Sequence, residues 1–252
     1  MTRSPTYAEI CEVADKAVSI FSDNGYESCL FGSTACALYG VSRCPNDVDL
    51  VVLVDEDTEY LKRLLTEENE NFYLVRSRNR NANYEVLWYE LPPTRRGGSR
   101  ECKVDILIPG GDLGIPDIPH SYIKRRNGLP VIPPLPLLLM KLQGWTDHRN
   151  SSRRDFQEKQ YVDVEDIEEM LTIVCNTGTH INSRSLTWLP DDFVSAAQEH
   201  VYEYVEEFPQ SAMEWEALGF ESQELPPKVY KRNPSQKVPI TDRRTQLPHG
   251  NM

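Results

Sequence analysis

The chain has 252 residues with 39% hydrophobic content, which suffices for one sizeable domain or two small ones. Its formal charge of -12 argues against a protein whose whole surface binds nucleic acid, because such binding draws on clustered lysine and arginine. No stretch is apolar over the length of a membrane span, and the polar start is unlike a secretory signal. We therefore expect an intracellular, cytoplasmic protein with no membrane partner.

The predicted elements begin with a helix over residues 7–21, where apolar side chains recur at helical spacing. A short apolar strand over residues 29–31 leads into Gly32 and Ser33. Glycine lets a ligand approach the backbone, and Ser33 is expected at the N-cap of a helix over residues 34–39. Free N–H groups and the positive end of the helix dipole suit a phosphate, so this turn is a candidate triphosphate site.

Two acidic residues lie on the next predicted strand, which covers residues 47–54. Asp47 and Asp49 project from the same face, where their mutual repulsion is costly unless a cation lies between them. A third acid, Asp105, lies at the centre of a predicted strand over residues 102–108. Carboxylates on neighbouring strands are what two-metal phosphoryl transfer requires, and oxygen ligands suit Mg²⁺. Asp105 could also accept the proton of an acceptor hydroxyl.

Further patterns complete a predicted catalytic domain over residues 1–112. A helix is predicted over residues 59–66 and strands over residues 72–75 and 84–89. Together with the strands that carry the acids, these elements predict an α/β (α+β) fold with a mixed sheet flanked by helices.

The second half of the chain has a different composition. Residues 113–136 are dense in proline and glycine and are expected to form an extended connector. Residues 137–221 are expected to be helical and to close a nucleotide cleft against the sheet. The basic, proline-rich residues 222–252 indicate a tail that is disordered or docks on a partner. Helices are predicted over residues 137–145, 162–175 and 191–208.

The acidic strands and the glycine turn together resemble a known signature. The three motifs are Phe31-Gly32-Ser33, Asp47-Val48-Asp49-Leu50 and Val104-Asp105-Ile106. They look like the signature of the DNA polymerase β-type nucleotidyltransferase superfamily. The resemblance implies that Gly32 and Ser33 contact the β and γ phosphates, and that Asp47 and Asp49 carry two Mg²⁺ or Mn²⁺ ions. It also implies that Asp105 joins the ion that activates the acceptor.

A second resemblance lies in the helical half, which is similar to the minimal and abortive-infection-toxin-like nucleotidyltransferases. In that group a helix lysine touches the triphosphate and a KDxxDxxD-like segment follows, so Lys141 and Asp163 are the matching positions. Gln160 stands where the group has an acid, and Asp155 is an alternative match upstream. Lys141 also has a structural interpretation, in which its stem covers the core and its ammonium reaches water.

Other charged residues have both a functional and a structural interpretation. Arg43 could contact the nucleotide phosphates or cap a turn, whereas His148 has no partner at metal-ligand spacing and is interpreted as a surface or hydrogen-bonded histidine. Three basic clusters could guide a triphosphate or an RNA end, although charge runs are usually solvated loops. The clusters are Arg76, Arg78 and Arg80; Arg95, Arg96 and Arg100; and Lys124, Arg125 and Arg126.

The sequence thus predicts an enzyme that moves a nucleoside monophosphate from an NTP to an acceptor hydroxyl and releases pyrophosphate. The 3′ end of an RNA such as tRNA is favoured narrowly as acceptor over a protein or a small molecule. Two alternatives stay open, namely a non-catalytic nucleotide-binding or interaction module of the same fold and a metal-dependent phosphohydrolase. The sequence indicates neither the base preference nor the oligomeric state.

Overall fold

The computed structural model describes residues 4–77, 84–93, 97–111 and 113–223. Its strands are β1 (Ser28–Phe31), β2 (Asp47–Val52), β3 (Phe72–Arg76), β4 (Glu85–Leu91), β5 (Arg100–Leu107), β6 (Lys124–Arg126) and β7 (Leu129–Val131). Its helices are α1 (Tyr7–Asp23), α2 (Gly32–Tyr39), α3 (Thr58–Glu68), α4 (Pro134–Asn150), α5 (Arg154–Gln157), α6 (Gln160–Asn176), α7 (Asp191–Glu207) and α8 (Ala212–Leu218). In these residues the strands form one mixed sheet in the order β3-β4-β5-β2-β1-β7-β6, which confirms the predicted fold class.

Helix α1 begins at a capping box and is tied to the sheet by an ion pair. Thr6 accepts a hydrogen bond from the backbone N–H of Glu9, and the Glu9 carboxylate accepts one from the N–H of Thr6. The same carboxylate accepts hydrogen bonds from both terminal nitrogens of Arg100, at 2.6 and 2.7 Å. Because Arg100 begins β5, this pair fixes the start of α1 against the strand that carries Asp105.

The register of the central strands brings the three acids together. Strands β2 and β5 are parallel, with Asp49 paired to Asp105, while β1 is antiparallel to β2, with Phe31 paired to Asp49. The other face of β2 is apolar, and Val48 and Leu50 are fully buried there. Burial of that face fixes the strand register, because a shift of one residue would point the acids into the core.

The proline-rich segment after β5 differs from the extended connector that the sequence predicts. It contributes β6 and β7 to the sheet, and β7 runs parallel to β1 with Val131 beside Leu30. Helix α4 then begins at Pro134 rather than at residue 137. The prolines fit because the first turn of a helix needs no N–H donors, and Val131 and Ile132 supply fully buried apolar side chains.

The helical half packs around aromatic side chains. The ring of Trp145 on α4 meets that of Tyr204 on α7 edge-on, with centroids 5.0 Å apart. Tyr204 also contacts Trp215 on α8, a helix that the sequence pattern did not predict. The predicted helices over residues 162–175 and 191–208 correspond to α6 and α7, and each predicted C-terminal end differs from the observed end by one residue. Among the helices in the described ranges, none combines the length and apolar character needed to cross a membrane.

Candidate active site

Three carboxylates form an acidic cluster where β2 and β5 face the helical half. One carboxylate oxygen from each of Asp47, Asp49 and Asp105 lies within 4.8 Å of the others, and all three residues are half-buried. The hydroxyl of Ser33 donates to Oδ1 of Asp47 at 3.4 Å, and the ammonium of Lys103 pairs with Oδ2 of Asp105. The cluster is therefore held in place from both sides.

The electrostatics of this acidic cluster favour a bound cation. Burial raises the pKa of Asp49 well above its usual range, and the neighbouring carboxylates of Asp47 and Asp105 raise it further. The donor set consists of carboxylate oxygens alone, which are hard ligands suited to Mg²⁺ or Mn²⁺. Asp47, Asp49 and Asp105 thus fit a divalent metal site, as expected from the sequence.

The glycine turn lies directly against the acidic cluster. Gly32 has a φ of +59°, and a Cβ at this position would overlap Oδ2 of Asp49. Helix α2 begins at Gly32 itself with Phe31 as its N-cap, so the predicted N-cap role of Ser33 is wrong. The Ser33 hydroxyl turns to Asp47 instead, and the hydroxyl of Thr34 donates to the Asp47 carbonyl at 2.7 Å. The predicted cap was two residues too late, because Gly32 can be the first residue of the helix with a positive φ.

Lys141 lies in a buried network of charges on the other side of the cleft. Its ammonium pairs with Oδ1 of Asp163 at 3.0 Å and with Oδ2 of Asp166 at 2.8 Å. Burial acts to lower the pKa of Lys141, but the two carboxylates outweigh it and the pKa is raised. The side chain is 12% exposed, so Lys141 does not extend its ammonium to bulk water.

Arg43 belongs to the same network. Its Nε and Nη2 donate to the two oxygens of Asp166 at 2.8 and 2.6 Å, which ties the loop before β2 to α6. Burial acts to raise the pKa of Asp166, yet the hydrogen bonds from Arg43 and the charge of Lys141 leave it lowered. Asp166 was not predicted from the sequence, and its position three residues after Asp163, on the same helix face, is the signal that could have indicated it.

His148 is a further site residue that the sequence interpretation left out. Its Nδ1 makes a hydrogen bond with Oδ2 of Asp163, and its ring packs edge-on against Phe156. Lys141 and His148 are seven residues apart on α4, so they share a helix face, and that spacing was the available signal. Asp155, the alternative match, pairs with Arg153 in the solvent, with its side chain 65% exposed.

A cleft of about 750 Å³ separates the acidic cluster from the helical half. Gly32, Ser33 and the three acids line one wall, and residues of α4, α5 and α6 line the other. Arg43, Lys103, Lys141 and Lys159 bring positive charge to it. The structure therefore brings together all eight residues that the sequence predicted for the site, namely Gly32, Ser33, Arg43, Asp47, Asp49, Asp105, Lys141 and Asp163.

The three predicted basic clusters have different outcomes. Arg100 is engaged with Glu9, whereas Arg76 is exposed at the end of β3. Lys124, Arg125 and Arg126 form the exposed edge strand β6. The remaining members lie outside the described residues: Arg78, Arg80, Arg95 and Arg96.

No protein-family model matches the chain, and no curated protein matches it in sequence. Solved structures do match in fold. A nucleotidyltransferase-like antigenic protein from Paracoccidioides brasiliensis is similar, with a TM-score of 0.61 at 17% identity, over 87% of this chain and 97% of that one. The JHP933 protein from Helicobacter pylori is similar, with a TM-score of 0.50 at 12% identity, over 84% of this chain and 79% of that one. The chain therefore has the nucleotidyltransferase fold.

Proposed function

We propose that this protein is a divalent-cation-dependent nucleotidyltransferase. It moves a nucleoside monophosphate from an NTP to an acceptor hydroxyl. The observation that carries the proposal is the meeting of Asp47, Asp49 and Asp105 within 4.8 Å, directly beside the Gly32 turn. A module that only bound nucleotide would have no physical need for three mutually repelling carboxylates at one point.

The metal-binding residues in this proposal are Asp47 and Asp49, which would hold two Mg²⁺ or Mn²⁺ ions, and Asp105, which would share one of them. When bound, such ions neutralise the triphosphate and lower the pKa of the acceptor hydroxyl.

The phosphate-binding residues are those of the glycine turn and the basic wall. Gly32 and Ser33 receive the β and γ phosphates, because α2 directs its first N–H groups and its positive dipole end to this point. Lys141 contributes positive charge from the opposite wall and Arg43 from the loop before β2, and Asp163 holds Lys141 in position. The nucleotide is thus bound between the two halves of the chain.

The reaction exchanges one phosphorus–oxygen bond for another. The acceptor oxygen bonds to the α phosphorus while the bond from that phosphorus to the bridging oxygen breaks, and pyrophosphate leaves. Asp105 accepts the proton of the acceptor hydroxyl. Most of the rate gain comes from charges that are already fixed in place, which the hydrogen bonds and strand pairing around the acidic cluster provide.

The experiment is incubation of the protein with each α-³²P-labelled NTP, Mg²⁺ and total cellular RNA, followed by a denaturing gel. Asp49→Asn is the test variant, and Asp55→Asn, which changes an exposed acid just beyond β2, is the matched control. We expect label in an RNA band with the wild-type protein and the control but not with Asp49→Asn. RNA is the acceptor we favour over protein or a small molecule.

Other outcomes separate the alternatives. Pyrophosphate release with the label only in free nucleoside monophosphate would favour a phosphohydrolase that uses water. Label in a protein or a small hydroxyl compound would support transferase activity with an acceptor other than RNA. Nucleotide binding without turnover in every mixture would leave a non-catalytic module.

A further inference from the structure

The outermost strand of the sheet carries an uncompensated run of positive charge. Lys124, Arg125 and Arg126 form β6, which is exposed at every position. In the described ranges none of the three pairs with a carboxylate. Arg125 donates to the carbonyl of Gly128 at 2.7 Å, and the Arg126 guanidinium lies over the Tyr39 ring. We call these three residues the basic edge.

This run of three positive charges differs from the rest of the chain, which is acidic. The formal charge is -12, and many cations elsewhere are engaged by carboxylates. Examples are Arg43, Arg100 and Lys141. Three adjacent cations without acidic partners repel one another, so an anion bound there would be stabilised. Runs of like charge are often simply solvated, but the pocket and the aromatic rings beside the basic edge favour a binding site.

A pocket of about 190 Å³ opens beside the basic edge. Lys124 and Arg126 line it together with the hydroxyl-bearing residues Thr177, Thr179 and Ser185. Side chains two apart on a strand share a face and lie about 6.6 Å apart, a spacing close to that of successive phosphates in an extended nucleic-acid strand. The pocket therefore combines two cations at phosphate spacing with polar side chains that can bind phosphate or a 2′-hydroxyl.

Aromatic rings lie next to these cations. Tyr122 lines the pocket and stacks on Trp188, with ring centroids 5.9 Å apart and planes at 23°. Both rings are partly exposed. Sites for single-stranded nucleic acids combine cations along the phosphodiester backbone with aromatic rings on which bases stack.

The sheet register places the basic edge level with the candidate active site. Lys124 pairs with Val131, and Val131 pairs with Leu30, which is two residues before Gly32. The basic edge is three strands away from β2, which carries Asp47 and Asp49, a lateral distance of about 14 Å. A strand with its 3′ end at the acidic cluster could therefore reach the basic edge within a few nucleotides.

We propose that the basic edge and its pocket bind the phosphodiester backbone of a single-stranded RNA acceptor, upstream of its 3′ end. This inference rests on the proposed function and specifies its acceptor. Lys124 and Arg126 bind successive phosphates, and the exposed ring face of the Tyr122–Trp188 pair receives a base.

The test measures binding of a fluorescein-labelled twelve-nucleotide RNA of mixed sequence by anisotropy, over a range of salt concentrations. The test variant is Lys124→Glu/Arg126→Glu. Its matched control is Lys16→Glu/Arg63→Glu, which makes the same change of charge at two exposed cations on α1 and α3. We expect the test variant to bind at least about 10-fold more weakly than the control. The slope of log K against log salt should fall in magnitude by about 1.4, since two phosphate contacts are lost.

Two further arms separate the possible failures. Binding of a fluorescent NTP with Mg²⁺ reports the candidate active site alone and should be equal in both double variants. Trp188→Ala should weaken RNA binding without changing the salt slope, because it removes stacking and no charge. Equal RNA affinity in the test and control variants would overturn the inference, as would loss of binding to an acidic peptide but not to RNA. If NTP binding or transfer fails in every variant while the RNA result holds, the proposed function fails and the RNA site stands.

Discussion

Gly32 and Asp49 lie so close that a Cβ at Gly32 would overlap Oδ2 of Asp49 and come within 2.9 Å of its Cγ. The glycine is therefore required by the position of a carboxylate as well as by its own φ of +59°. Any larger residue must displace Asp49 or the start of α2. This contact joins the glycine turn to the acidic cluster.

The first prediction concerns this contact. Gly32→Ala should reduce nucleotide transfer at least about 100-fold, because Asp49 loses its place in the acidic cluster. The backbone strain of a left-handed alanine should lower the free energy of unfolding by about 1–2 kcal/mol. Gly25→Ala is the control, since Gly25 has a φ of +80° and open space around it. If both variants lose transfer equally, backbone strain rather than the Asp49 contact is responsible.

Asp49→Asn should abolish transfer and leave the thermal midpoint level or higher. The folded-state pKa of Asp49 is raised, so at neutral pH its ionised form destabilises the fold, and the amide removes that repulsion. Mg²⁺ or Mn²⁺ should raise the midpoint of the wild-type protein, because ligands that bind only the folded state stabilise it. Differential scanning fluorimetry with and without EDTA measures both effects. A large drop in the midpoint of Asp49→Asn would make the acid structural.

The charge network around Asp166 predicts a large stability effect. Lys141→Met leaves the buried carboxylates of Asp163 and Asp166 without that cation, and should cost about 3–5 kcal/mol in urea unfolding. Adding Asp166→Asn to this variant should restore part of the loss, since it removes one of the two buried charges. Lys16→Met, at an exposed position, is the control. A loss below about 1 kcal/mol would contradict the network.

His148 should affect nucleotide affinity more than folding. His148→Asn can keep the hydrogen bond to Asp163, because its amide replaces Nδ1, but it lacks Nε2, which has no hydrogen-bond partner in the described part of the chain. We expect the KM for NTP to rise about 10-fold with little change in kcat or thermal midpoint. His148→Leu loses both contacts and should be destabilised as well. Unchanged KM in the asparagine variant would limit His148 to a structural role.

The pair between Glu9 and Arg100 predicts a pH dependence of stability. Hydrogen bonds from Arg100 lower the pKa of Glu9 to about 2, whereas a glutamate in the unfolded chain has a pKa of about 4.3. The pair therefore stabilises the fold fully above the unfolded pKa, and this contribution is lost as pH falls toward 2. Glu9→Gln should lower stability at pH 7 by about 1–2 kcal/mol and flatten this acid dependence. Glu12→Gln, an exposed change on the same helix, should do neither when unfolding is followed by circular dichroism.

The acidic cluster was predictable because it depends on local chemistry. Asp47 and Asp49 follow the two-residue period of a strand, and burial of Val48 and Leu50 fixes which face they occupy. Asp105 lies on a second apolar strand, and the fold pairs that strand with β2. The alternation of side chains predicted each strand and the face of each acid, whereas the pairing of the two strands is a property of the fold.

Other parts depended on contacts distant in sequence. Strands β6 and β7 have three residues each and include Pro130, so propensity favoured a loop there, and only pairing with β1 makes them part of the sheet. Asp166 meets Arg43 across 123 positions, which no local pattern indicates. His148 was interpreted as a surface or hydrogen-bonded histidine and left out of the site, because its partner Asp163 lies on another helix.

The pairing of β7 with β1 has a consequence for how this protein can change over time. The chain runs from β7 through Ile132 and Pro133 straight into α4, which carries Lys141 and His148. A cut at the predicted boundary near residue 112 would therefore strip two strands from the sheet and leave β1 with an open edge. Recombination that exchanges the helical part for another would have to carry β6 and β7 with it. The junction that evolution can vary therefore lies before β6, within the segment that the composition predicts to be a connector.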